Sequence, residues 1–190
     1  MTTEDETKVP ARLEDVADVM LAETASSNSL LRFKNGGFFI GDDEVEVGHE
    51  YIAYPFDAMR GFVQWKDDTV VQQRLGRIRD AFILEREDLP EDEDWKPQHA
   101  LPLEDPETGE FVAFVSGSFG GKKAINNLIS TTARAVKAGR GQATPLIRLA
   151  AGSFTSKQYG RIACPSFEIV KQTMEVKPTI KEETSDEIPF

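Results

Sequence analysis

Several things are scarce in this chain of 190 residues, and each scarcity excludes something. A single cysteine, Cys164, excludes a disulfide scaffold and fits a reducing compartment. Two histidines and that one cysteine are too few for a standard zinc centre. No run of 18 apolar residues occurs, so a membrane-spanning helix is not expected. The segment Met1 to Lys8 is acidic and polar, unlike a secretory signal or an Arg-rich transit peptide. These absences predict a cytoplasmic protein with no membrane partner. Apolar residues make up 39%, enough for one core but low for a fully folded chain. One domain with tails is the expectation.

Bases are also outnumbered. Lys and Arg total 22 against 33 Asp and Glu, a net charge of −11. Taken whole, that argues against a polyanion partner. The distribution reverses the argument. Residues 1–30 carry −5, 31–40 carry +2, 41–110 carry −13, 111–171 carry +8 and 172–190 carry −3. In the +8 segment nine bases face one acid, Glu168. A basic block inside an acidic chain is a stronger polyanion signal than the overall charge. The competing explanation is a solvated face balanced by the acids of 41–110.

Residues 1–29 are expected to form an acidic mobile arm. Leu13, Val16, Val19 and Met20 are spaced for one face of a short amphipathic helix, and a frayed terminal helix without a partner is the alternative. The folded body is placed at 30–171. Leu30 to Lys34 and Gly37 to Gly41 flank Asn35-Gly36, the strongest short hairpin signal. Tyr51 to Tyr54, Gly61 to Lys66 and Thr69 to Gln73 are further strands, the last two joined at Asp67-Asp68. Acid-rich residues 85–97 are expected to be an exposed loop, and Asp105 to Gly109 a turn. Phe111 to Val115 is a strand. Ile125, Leu128, Ile129, Thr132 and Val136 then recur at helical steps over 122–138, and Gly139 and Gly141 stop that helix. Leu146 to Ala150, Arg161 to Cys164 and Phe167 to Val170 complete the sheet, with Pro165 marking an edge or bulge. The fold class predicted is mainly β: an OB-fold-like small barrel or a bent antiparallel sheet, with one helix between late strands and disordered tails on either side.

Residues 172–190 have little apolar content and read as a disordered acidic tail. It ends on Asp186-Glu187-Ile188-Pro189-Phe190. Phe190 supplies an aromatic anchor beside a carboxylate, Pro189 stiffens the approach, and the two acids steer toward a basic rim. With Ser185 in front, this pentapeptide resembles the C-terminal tip of bacterial single-stranded DNA-binding proteins. The body segments Phe38-Phe39-Ile40-Gly41, Leu101-Pro102-Leu103 and Tyr159-Gly160-Arg161-Ile162 resemble phage- and prophage-encoded proteins. The resemblance implies a phage-type single-stranded DNA-binding protein acting in replication and recombination. Its tip would recruit host or phage replication, recombination and repair proteins, with homo-oligomerisation left open. Two alternatives stand beside it: a tail mimic that competes for those partners without binding DNA, and a recombination mediator that anneals strands.

Sequence-tolerant binding of single strands needs cations for phosphates and aromatic faces for bases. Alternation puts Arg60, Phe62, Gln64 and Lys66 on one face of a strand and Gly61, Val63 and Trp65 on the other, which makes Trp65 a core residue. Tyr159 and Arg161, with Lys157 nearby, form a second basic and aromatic set. Phe119, Lys122 and Lys123 follow a Gly-rich approach to the helix, where phosphates bind. Arg140 and Arg148 complete the candidates. Ser116 and Lys123 break the Walker pattern, so nucleotide hydrolysis is not expected. The acids at 42–46 and 91–94 lack ordered spacing for a metal. His49 and His99 have no Ser or Cys nucleophile beside them. The expectation is a non-enzyme without cofactor or metal.

Overall fold

The computed structural model describes residues 30–67, 69–81 and 83–171. The arm 1–29, the tail 172–190 with its tip, and Asp68 of the expected turn lie outside the described residues.

Ten strands form one sheet: β1 (Leu30–Lys34), β2 (Gly37–Ile40), β3 (Asp43–Val45), β4 (Glu50–Ala53), β5 (Met59–Lys66), β6 (Thr69–Arg77), β7 (Lys96–Glu104), β8 (Phe111–Ser116), β9 (Leu146–Ser156) and β10 (Gly160–Lys171). Among the described residues one α-helix of 19 residues, α1 (Phe119–Lys137), separates β8 from β9. The order is β10-β9-β4-β7-β8-β1-β2-β3, and β5 joins β7 from the side and carries β6. Every pairing is antiparallel except β1 with β8. Of the two forms expected, barrel or bent sheet, the chain adopts the bent and unclosed sheet. The bend is deep. A Cβ placed on Gly36, in the β1–β2 turn, would lie 3.8 Å from Cβ of Ala163 in β10.

The Asn-Gly signal is realised as a two-residue turn with φ of 54° at Asn35 and 85° at Gly36. Pro165 sits in β10, the terminal strand of the path, as its missing N–H requires. One expectation needs correction. Residues 85–97 are not simply an exposed loop, because Leu89 and Trp95 are buried and β7 begins at Lys96. β7 itself is an interior strand, although it contains Pro97 and Pro102. Its ladder explains the exception at Pro102. β5 pairs with residues 96–100 and β4 with Leu103 and Glu104. Pro102 falls between them, where a donor would meet no strand acceptor, and its carbonyl accepts the Tyr54 N–H at 3.0 Å.

β7 and β8 are covered on both faces. Leu31, Phe38, Leu101, Phe114, Ile147 and Leu149 lie on the concave face, with Ile125 and Leu128 of α1 packed into them. Leu30, Met59, Ala100, Ala113 and Val115 form a smaller cluster on the other face. Burying each large side chain contributes about 1.5–3 kcal/mol, so the concave cluster dominates the sheet's cohesion. Ile125, Leu128 and Thr132 are the buried stripe of α1, and Val136 at its end is exposed. No described helix is long and apolar enough to cross a membrane.

Candidate nucleic-acid interface

Ser118 caps α1: its Oγ accepts the Gly121 N–H at 3.1 Å, and its own N–H donates to Ser116 Oγ at 3.2 Å. Gly120 is required by a close approach. A Cβ there would stand 2.8 Å from Cβ of Cys164, so the glycine lets the helix start lie directly on β10. The first turn holds no acid, and it carries Lys122 and Lys123. Cations at the positive end of a helix dipole are unfavourable alone, and they raise the local potential for an anion.

Between α1 and the β9–β10 hairpin runs a groove of about 450 Å³, lined by Phe119, Lys123, Phe154, Cys164 and Phe167 among others. Phe119 is 68% exposed. Its ring meets Phe154 edge to face, centroids 6.0 Å apart. Arg161 donates from Nε to Oγ of Ser153, a groove-lining serine, at 2.8 Å. None of the groove's lining residues is acidic.

The structure thus gathers Phe119, Lys123 and Arg161, and disperses the rest. Arg60 and Phe62 line a separate hollow of about 370 Å³ with His99, Pro97 and Ile83. Val63 is fully buried, in keeping with the alternation read for this strand. Lys122 is close enough to His99 for its charge to act there. Burial, then the charges of Lys122 and Arg60, push His99 down to about 4, so the imidazole is neutral at pH 7. Lys66 closes β5 roughly 20 Å along the strand from Arg60.

Lys157 and Tyr159 occupy the tip of the β9–β10 hairpin, where Ser156 Oγ accepts the Tyr159 N–H at 3.3 Å. Tyr159 does not share a strand face with Arg161, as alternation proposed. It precedes Gly160, whose φ of 70° breaks the extended run. Arg140 lies past the C-terminal end of α1, with about 22 Å of helix between Lys122 and that end. Arg148 is tied to Glu50 at 2.6 Å, which neutralises it.

Sequence reasoning missed Phe154, the second ring of the groove, because its strand was read only to Ala150. It also missed Arg32, Lys34 and Phe39. Arg32 Cζ stands 4.4 Å from the Trp65 ring centroid, and Lys34 Nζ 4.9 Å from that of Phe39. The signal was present as the two bases of residues 31–40, which alternation puts on one face of β1. Trp65 is half-buried: it packs on the smaller cluster and keeps one side under Arg32.

No known protein family, no curated protein and no solved structure matches this chain.

Proposed function

We propose that this protein binds single-stranded DNA without catalysis, in phage replication and recombination, and recruits replication and repair proteins through Asp186 to Phe190. One observation carries the DNA half. The groove between α1 and the β9–β10 hairpin combines an exposed ring, Phe119, packed on the half-buried Phe154, with Lys123 in its lining and Arg161 bonded to its Ser153, and has no acid in its lining. In a chain with 33 acids, that exclusion favours an anionic occupant. Bases stack on exposed rings at a gain of about 1–3 kcal/mol each, and phosphates pair with the cations around them. Sequence preference would be weak, because any base offers a face to stack. The recruiting half rests on the resemblance of the terminal residues to the single-stranded DNA-binding protein tip.

Fluorescence anisotropy with a labelled oligo-dT of about 20 nucleotides at low salt tests the first half. Saturable binding that weakens steeply with salt is expected. Absence of binding to oligo-dT at low salt overturns it. Deleting residues 186–190 tests the second half. Strand affinity should survive while capture of replication proteins is lost; a chain that binds no strand yet captures them would be a tail mimic.

A further inference from the structure

The groove ends at the start of α1, but the acid-free surface continues. Ser116, Gly117 and Ser118, just ahead of Phe119, line a separate cleft of about 330 Å³. Arg32, Phe33, Lys34, Trp65 and Gln98 form its remaining polar and aromatic walls, and no residue lining it is acidic. From its wall outward along β1 and β2 the side chains alternate in kind. Trp65 lies under Arg32, Arg32 stands opposite Phe39 in the β1–β2 ladder, and Phe39 lies under Lys34. Glu44, opposite Phe39 in the β2–β3 ladder, ends the row.

Resting on the reading of the groove as a strand site, we infer that this cleft is a second stacking subsite for the same single strand, which crosses the loop 116–118 to reach it. A base stacks on the plane presented by Arg32 and Trp65, and Lys34 takes the adjoining phosphate. Two physical arguments select this occupant. A guanidinium held over an indole, 4.4 Å from its centroid, extends the stacking surface, and bases stack on both ring and guanidinium planes. Cations and rings in alternation match the phosphate and base alternation of a nucleic acid strand, whereas an acidic peptide would use the cations and leave the rings idle. The loop 116–118 lines the cleft and runs directly into Phe119, which lines the groove, so the two sites adjoin along the chain.

The two tryptophans make the subsite directly observable. Trp95 is 5% exposed and donates its Nε1–H to Glu93, so it is shielded from a ligand, whereas Trp65 lies in the cleft. The full chain is titrated with unlabelled oligo-dT of 5 and of 20 nucleotides, read by tryptophan emission, with anisotropy of labelled versions in parallel. The 20-mer should quench emission; the 5-mer, short enough to be held in the groove alone, should bind with little quenching. Trp65→Phe should abolish the quenching, and Trp95→Phe should keep it. Arg32→Gln and Lys34→Gln, checked for folding by circular dichroism, should each weaken the 20-mer roughly 5-fold or more and leave the 5-mer unchanged. If the 20-mer binds by anisotropy but emission stays constant, or if both glutamine variants bind it normally, the subsite is refuted and the groove reading stands. If neither oligonucleotide binds, both fall together.

Discussion

Phe119 and Phe154 come from different elements, the first residue of α1 and the outer half of β9, and meet edge to face at 6.0 Å above the same groove. Phe119 is 68% exposed, an uncommon state for a ring that packs on another ring. Replacing it should therefore cost binding rather than folding. Phe119→Ala is expected to weaken oligo-dT binding by about 1–3 kcal/mol, with the melting temperature nearly unchanged. Anisotropy and thermal melting of the same sample separate the two effects.

The cations divide by environment. Each phosphate contact on a single strand contributes about −0.7 to the slope of log K against log salt. Lys123→Gln and Arg161→Gln should each make that slope shallower by about that amount. Arg148→Gln should leave it unchanged, because Glu50 already holds Arg148 at 2.6 Å. A salt series from 50 to roughly 300 mM on the four proteins tests the distinction.

His99 gives the fold a pH dependence. Its value in the folded protein is about 4, lowered by burial and by the charges of Lys122 and Arg60, against an ordinary value near 6.5. The unfolded chain therefore takes up a proton that the folded chain refuses. Stability is full above about pH 6.5 and declines as pH falls toward 4. Melting curves at pH 7.5 and 5 should show a smaller drop for His99→Gln than for the parent. An equal drop would mean that His99 is not the titrating group.

Gly61 is fixed by contact. Its φ is 152°, and a Cβ there would lie 1.9 Å from the carbonyl oxygen of Arg74 in β6. Flexible side chains can yield, but backbone cannot. Gly61→Ala is expected to destabilise by more than about 1 kcal/mol and to loosen the β5–β6 hairpin. Hydrogen exchange should show faster exchange along β6 than in β9.

The parts of the fold legible in the sequence were those governed by short-range chemistry. Asn35-Gly36 dictates its turn, the 3–4 residue recurrence of Ile125, Leu128 and Thr132 dictates α1, and Pro165 dictates an edge. β7 was not legible. A proline in an interior strand is allowed only because two partners end on either side of Pro102, which is a property of distant chain segments. The site divides in the same way. Alternation correctly separated Val63 from Arg60 and Phe62, but it could not join Phe119 to Phe154, 35 positions on. Nor could it detect that Glu50 neutralises Arg148 from 98 positions away.

The placement of Pro102 also acts as a key. Shift β7 by one residue against β4 and β5, and the ring moves out of the gap to a position where a ladder acceptor waits for a proton that proline lacks. The same shift turns Leu101 and Leu103 away from the concave cluster. A wrong register is thus penalised twice, by an orphaned carbonyl and by two exposed leucines. The strand that pairs with both β5 and β8 is thereby held to one alignment.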